Sequence, residues 1–210
     1  MLSVIILCRN ERPHIEACVR SILSQERPPG GMEVIVADGL SDDGTREILE
    51  RLTQQHPELR VVDNPRGITP CAMNAGIRAA RGQYIAILGG HCQYAADFLK
   101  TCVALLHEHP EVACVGGPTL SRGKSLFGQA VALAMTHPLG VGNAKHRHPT
   151  YEGYAEMACY PVFRKEVFEK VGLYDERFIR NQDDELCYRL AVHGEKVFIS
   201  PRARYTYFIR

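Results

Sequence analysis

The sequence predicts an α/β fold built on a mostly parallel sheet with helices on its faces. Strand-like and helix-like segments alternate four times within about 115 residues. The strand-like segments are short continuous apolar runs, as in strands buried on both faces. Clusters of polar residues and glycine follow three of these runs, where ligands of open parallel sheets are held.

The elements follow in order along the chain. Ser3 to Leu7 (SVIIL) reads as a buried strand. Pro13 then stands near a helix start, and Ile15, Cys18, Val19, Ile22 and Leu23 recur at helical spacing. The Pro28-Pro29-Gly30-Gly31 run breaks the chain before a second strand, Met32 to Ala37. A polar turn from Asp38 to Gly44 leads into a helix over Thr45 to Gln55. A third strand (Leu59 to Val62), a third helix (Thr69 to Ala80) and a fourth strand (Tyr84 to Leu88) follow. A fourth helix from Ala95 to His107 and a fifth strand from Val112 to Val115 complete the regular half.

The rest is less regular. Gly116 to Gly153 holds seven glycines and one apolar stretch, Leu126 to Met135, so it reads as a long excursion with a helix inside. A loop of that length in a compact domain is usually functional. Ala155 to Phe163 reads as one strand and Lys165 to Lys170 as a helix closed by Gly172. Asn181 opens a helix running to about His193, and Val197 to Ser200 and Arg204 to Phe208 read as strands. The expected organisation is a single domain over 1–210, with residues 1–115 as one half and 116–210 as the other.

Composition excludes several classes. With 25 basic and 24 acidic residues the net charge is +1, which gives no bulk attraction for nucleic acid. No apolar run approaches the roughly 18 residues of a spanning helix. Met1 opens directly into a strand-like run, so no export signal is expected. The eight cysteines form no Cys-x-x-Cys pair and read as reduced thiols of a cytosolic protein.

Four polar constellations carry the candidate chemistry. Arg9-Asn10-Glu11 closes the first strand; local chemistry reads it equally as a helix entry or as a site in which Arg9 faces a diphosphate and Glu11 a hydroxyl or base. Asp38-Gly39-Leu40-Ser41-Asp42-Asp43-Gly44-Thr45 reads as a capped turn, with Ser41, Asp42 or Asp43 as cap. Asp38 also stands where a carboxylate accepts hydrogen bonds from a ribose or a base. Gly89-Gly90-His91 follows the fourth strand; the glycines permit close backbone approach, and His91 is a candidate metal ligand. Asn181-Gln182-Asp183-Asp184-Glu185 suits a capped, dipole-matched helix start. Three adjacent carboxylates exceed that need, and their mutual repulsion raises the pKa of at least one, as a general base requires. His146-Arg147-His148, inside the excursion, reads as a flexible polar loop with some reach toward phosphate. No Gly-x-Gly-x-x-Gly follows a strand, and the one Gly-Lys-Ser, Gly123-Lys124-Ser125, has Pro118 where a P-loop needs its first glycine, so a dinucleotide oxidoreductase or a P-loop is not supported.

Taken together and in this order, the four segments resemble the family 2 glycosyltransferases of GT-A fold. Ser3-Val4-Ile5-Ile6 with Asn10-Glu11 looks like their opening strand, and Asp38 to Thr45 like their second-strand motif. Gly89-Gly90-His91 occupies the place of the Asp-x-Asp metal motif. Gln182-Asp183-Asp184-Glu185-Leu186 occupies that of the base motif. Asp63-Asn64-Pro65, His137 to Asn143 and Arg180 to Leu186 are similar to the succinoglycan-biosynthesis branch. The resemblance implies an inverting transferase that moves a sugar from a nucleotide diphosphate sugar, a UDP-sugar by preference, to a hydroxyl of a saccharide or lipid-linked acceptor. It implies Asp183 as base with Asp184 beside it, and Arg9, Glu11, Asp38, Gly39, Gly89 and Gly90 around the nucleotide. It implies Mg2+ or Mn2+ at His91, and a place on the cytoplasmic side with peripheral contact to the inner membrane face.

Three departures accompany the resemblance. Leu7 replaces the usual proline, Gly89 replaces the first acid of the metal motif, and the chain stops at Arg210 right after a strand-like run. Family members commonly continue into membrane-associated segments, so a shortened member or a piece of one is expected. Asp42 and Asp97 stand open as acids that would compensate for Gly89. The alternative reading is a catalytically impaired nucleotide-sugar-binding module, or a scaffold subunit of a polysaccharide assembly complex.

Overall fold

The computed structural model describes residues 1–89, 92–123 and 125–209. The regular half is β1 (Leu2–Cys8), α1 (Ile15–Leu23), β2 (Met32–Asp38), α2 (Thr45–Gln55), β3 (Leu59–Asp63), α3 (Thr69–Ala79) and β4 (Tyr84–Leu88). It continues through β5 (Cys92–Tyr94), α4 (Phe98–Glu108) and β6 (Val112–Gly116). The second half holds β7 (Leu120–Gly123), α5 (Leu126–Ala134), α6 (Pro138–Val141) and a 3-10 turn at Lys145–Arg147. Then come β8 (Gly153–Ala155), β9 (Val162–Arg164), α7 (Val167–Val171), α8 (Gln182–Val192), β10 (Lys196–Ile199) and β11 (Tyr205–Ile209).

The predicted parallel sheet is present, with strand order β3-β2-β1-β4-β9-β6-β10-β8. β1 to β4, β6 and β10 share one direction, whereas β9 and β8 run against their neighbours. Both halves of the chain therefore build one sheet. Alternation along the strands sorts the core. Val4, Ile6, Val34 and Val36 meet α1, α2 and α4 on one face. Ile5, Ile35, Ile85 and Ile87 meet α3, α7 and α8 on the other. Gly76 of α3 allows the closest approach, since a Cβ there would lie 2.5 Å from Ile5 Cγ2.

Three expectations need correction. The single strand expected over Ala155 to Phe163 is two strands, because Tyr160 turns the chain with φ 50° immediately before Pro161. The helix expected from Ala95 begins at Phe98, after the short strand β5. A second sheet, β5-β11-β7, was not legible in the sequence; it joins strands that lie far apart along the chain.

Candidate active site

The register of β1 on β2 sets Cys8 beside Asp38, so the loops after these strands leave the sheet side by side. They are laced together. The Asn10 N–H donates to Ser41 Oγ (2.8 Å), and the Asn10 amide exchanges hydrogen bonds with Asp42 (3.0 and 3.1 Å). The Glu11 N–H donates to Thr45 Oγ1 (3.0 Å), and Asp43 Oδ1 accepts from the Thr45 N–H (3.0 Å). None of the three candidates holds the cap position, which Gly44 takes in the left-handed region; Asp43, one residue earlier, supports the first turn through the Thr45 N–H. Arg9 lies exposed over this lacing. A Cβ at Gly39 would stand 3.0 Å from its Cδ and one at Gly67 2.6 Å from its Nη1, so both glycines make room for the side chain. Arg9 Nη1 donates to the Gly67 carbonyl at 3.2 Å.

Asp38 differs from its reading as a ligand-facing acid. It is fully buried, and its oxygens accept from the Ser41 N–H (3.0 Å), the Ser41 hydroxyl (2.5 Å) and Arg46 Nη1 (3.2 Å). A buried carboxylate needs such partners, and here they fix the loop. Arg9 and Asn10 are exposed and Glu11 is half-buried in the first loop, and in the second Leu40 and Asp42 are exposed and Asp43 is half-buried.

At the end of β4, Gly89 exchanges hydrogen bonds with the Tyr94 hydroxyl (3.0 and 3.2 Å). The place of a side chain at 89 is taken: a Cβ there would lie 2.7 Å from Tyr160 Cε1. Tyr160 packs edge-on against Tyr94 and Tyr205, with ring centroids 6.1 and 5.4 Å away. The positive φ of Tyr160 costs free energy for so bulky a residue, and the aromatic packing holds it there. Gly90 and His91 lie outside the described residues.

The third part of the site is α8. Its buried Leu186 and Leu190 anchor it to the sheet. Arg189 clamps it to the end of α7 by donating to Glu185 (2.5 and 2.7 Å) and to the carbonyls of Val171, Gly172 and Leu173. Those carbonyls lie at a helix end that lacks intrahelical partners for them. The segment before α8 is fixed by the buried Asn74, which pairs with Tyr174 through both backbone groups (2.9 and 3.0 Å). Asn181 sits at the cap position in the left-handed region with no side-chain cap bond, so its capping role is corrected to a backbone one. Successive helix positions point about 100° apart, and the three acids divide accordingly. Glu185 serves Arg189, whereas Asp183 and Asp184 are both exposed, Asp183 at the edge of a cleft.

That cleft, of about 260 Å³, is bounded by the ends of β1 and β4 at Leu7 and Gly89, by Tyr160 and Tyr174, and by Arg147 and Asp183. Water reaches the Asp183 carboxylate, yet the cleft walls strip away much of its hydration. This desolvation, with the like charge of Asp184, raises its pKa from the ordinary 3.8 to about 6. Residue 183 thus stands on the same sheet edge as residues 9 to 11 and 38. Arg147 was read as part of a flexible loop; the structure instead places it on a 3-10 turn pinned by the buried His146. No local signal marks Tyr160 or Tyr174, whose positions depend on contacts with residues far along the chain.

The described residues do not fit a divalent ion. Among them no three His, Cys, Asp or Glu side chains gather to hold one. Tyr160 fills the space of the missing acid, and the oxygens of Asp38 are committed. The two acids open as compensation turn elsewhere: Asp42 to Asn10, and Asp97 to Arg204 at 3.7 Å.

Edge loops and a cleft holding Asp183 at the carboxyl ends of the strands are the site layout of open α/β folds. Residues 3–172 match the model of glycosyl transferase family 2, and the chain belongs to that family. It is 34% identical over 210 residues to the succinoglycan biosynthesis protein ExoA of Rhizobium meliloti, covering 99% of this chain and 63% of that protein. It is 26% identical over 216 residues to a dolichyl N-acetylglucosaminyl phosphate glucuronosyltransferase of Methanococcus voltae, covering 100% of this chain and 67% of that protein. The chain thus spans about two thirds of the length of these relatives. The fold is GT-A. A mannosyltransferase from Pyrobaculum calidifontis, solved with GDP-mannose and Mn2+, superposes with a TM-score of 0.74 at 23% identity, covering 99% of this chain and 56% of that one. S. aureus TarS with UDP-GlcNAc gives 0.73 at 16% identity, covering 100% and 58%.

Proposed function

We propose that this chain carries the catalytic centre of an inverting glycosyltransferase of polysaccharide assembly. The donor is a nucleoside diphosphate sugar, with UDP as the favoured nucleotide, and the acceptor is a hydroxyl of a saccharide or a lipid-linked saccharide. Asp183 carries this reading: a carboxylate at the cleft with its pKa raised to about 6 is poised to take a proton near neutral pH. In the step, the acceptor hydroxyl gives its proton to Asp183 as its oxygen bonds to the anomeric carbon. The bond from that carbon to the diphosphate breaks on the opposite side, and the electron pair leaves with the diphosphate. The cleft walls hold the two partners together and limit competing water.

The other site residues divide around this step. Arg9 and Glu11, on the accessible rim, face the nucleotide, while Asp38 acts through the loop it fixes. Gly39 and Gly89 leave room for neighbouring side chains, and Gly90 lies beside them in sequence. Asp184 assists by raising the pKa of Asp183. The Mn2+ of the Pyrobaculum neighbour supports divalent-ion use, with His91 as the proposed ligand, while the described residues supply no donor set for an ion.

Peripheral membrane contact from the cytoplasmic side also belongs to this reading. Leu126, Phe127 and Leu139 expose 86, 80 and 93% of their surface on α5 and α6. Between Glu111 and Glu152 the sequence holds no acid, whereas Arg122, Lys124 and Lys145 lie in that interval. An apolar face among cations fits an anionic lipid surface. No helix among the described residues is long and apolar enough to cross a membrane.

The test is Asp183→Asn. Nucleotide binding by calorimetry should stay within about twofold, and transfer should fall by about 10²–10⁴. Transfer at the wild-type rate removes Asp183 as base. Gly89 favours a second reading, a binding module that takes up donor without turnover. Wild-type protein that binds nucleotide but neither transfers nor hydrolyses a donor, in the presence of saccharide acceptors, supports that one.

A further inference from the structure

One charged group of the cleft is unexplained by its surroundings. Arg147 lines the cleft together with Asp183, Gly89 and Tyr160, and its Nη1 is buried without a hydrogen-bond partner among the described residues. A buried guanidinium N–H left unpaired is unfavourable, so such an atom calls for an explanation. Pairing with Asp183 is not one. No ion pair joins them, and the raised pKa of Asp183 traces to burial and Asp184, with no lowering contribution from Arg147. Cys159 lines the same cleft; burial pushes its thiol up, and Arg147 and Asp183 act on it in opposite directions. The cation and the base share one cleft without neutralising each other.

The base from which Arg147 projects is rigid. His146 is buried, and its carbonyl accepts from the Thr119 N–H at 2.8 Å. The Lys145 N–H donates to Glu156 (3.1 Å) and its Nζ to the Tyr154 carbonyl (3.0 Å). The Arg147 N–H closes the turn on the Ala144 carbonyl at 2.9 Å. Gly89 lines the same cleft, and there Tyr160 occupies the space a carboxylate would need. Among the described residues the Gly89 end of the cleft thus offers no acid to recruit a metal cation, while Arg147 gives the cleft a cation of its own.

We propose that Arg147 is a diphosphate-binding group that supplies from the chain itself the positive charge that the Gly89 end of the cleft cannot recruit through an acid. The inference rests on the sugar-nucleotide reading above. A guanidinium fork matches two phosphate oxygens and keeps its charge at any working pH. Fixed beside the leaving group, it stabilises the negative charge that develops as the sugar departs. Because Arg147 belongs to the second half and Gly89 to the first, a diphosphate held between them would bridge the two.

The experiment measures binding of inorganic pyrophosphate and of UDP by calorimetry in EDTA, for wild type, Arg147→Gln and Arg147→Lys, with melting curves to check folding. The expected result is a tenfold or larger weakening of both ligands in Arg147→Gln and a smaller one in Arg147→Lys, which keeps the charge but loses the fork. If Arg147→Gln does not fold, a weakening of at least threefold in Arg147→Lys supports the proposal and unchanged affinity overturns it. Equal binding by wild type and variants overturns it, as does wild-type binding of either ligand only when Mn2+ is added. Failure of wild type to bind either ligand under any condition overturns it as well. Pyrophosphate binding that depends on Arg147, with no binding of UDP, GDP or the other nucleoside diphosphates, leaves this subsite standing and removes the sugar-nucleotide reading.

Discussion

At the scale of single residues, two positions set the behaviour of the cleft. The folded-state pKa of Asp183 lies above its ordinary 3.8, at about 6. The folded protein therefore holds this proton more tightly than the unfolded chain, and stability falls as pH rises between about 4 and 6. Above that window the penalty is constant, and below it the penalty is absent. Asp183→Asn should raise stability at pH 8 by ~1 kcal/mol, the full shift being discounted because water reaches the carboxylate, and should change nothing at pH 3.5. Denaturant melts at the two pH values check this. The rate should show the partner effect: kcat/KM rising about tenfold per pH unit up to about 6 and then levelling.

Gly89 is the second such position. Restoring the family's acid by Gly89→Asp brings a Cβ to within 2.7 Å of the Tyr160 ring, which is itself wedged among Tyr94 and Tyr205. Overpacking of this kind costs about 1–3 kcal/mol. In Tyr160→Ala the space is open, so the same substitution should cost about 1 kcal/mol less there. A double-mutant cycle by chemical denaturation reads the difference; strict additivity would mean that Tyr160 yields without resistance. Neither half of this pair was legible in the sequence. Gly89 was visible as a departure from the family motif, but its cause is a tyrosine 71 positions later. The conformation of Tyr160 also contradicts the extended preference of a residue before proline.

At the scale of elements, legibility followed the range of the contacts. β1 to β4 and α1 to α3 were readable to within a residue or so, because β-branched runs and turn residues specify them locally. The sheet β5-β11-β7 was not, since Tyr94 pairs with Tyr205 and Leu120 with Thr206 across long separations. In α8 the acid cluster was read as more than capping, and its division into Asp183, Asp184 and Glu185 needed the Arg189 clamp to be seen. α5 was found from its apolar run, while the exposure of that run appears only in the structure. A core helix would hide Leu126 and Phe127. Their exposure predicts that Leu126→Ser and Phe127→Ser each weaken partition onto vesicles rich in anionic lipid by about tenfold, from about 1.5–3 kcal/mol per buried side chain. Vesicle flotation measures it, and binding that is equal on zwitterionic vesicles would remove the cations from the account.

At the scale of the whole molecule, the cleft is a joint. Leu7 and Gly89 enter it from the first half of the chain, and Arg147, Tyr160 and Asp183 from the second. The halves are already tied through one sheet, where β9 pairs with both β4 and β6. A ligand that contacts both sides of such a joint is lost only when the structure opens as a unit, so its binding energy adds to global stability. Thermal melts with a panel of nucleoside diphosphates should therefore show one cooperative transition displaced upward by the nucleotide of the true donor. At a hundredfold excess over its Kd the gain should be about 2.7 kcal/mol. UDP is the expected winner over GDP, and the ranking should persist in EDTA because Arg147, not an acid at position 89, supplies the charge. A panel in which no nucleoside diphosphate moves the transition would leave the fold intact and take away the donor. A displaced first transition followed by an unmoved second would show that the halves unfold separately and that the cleft does not join them.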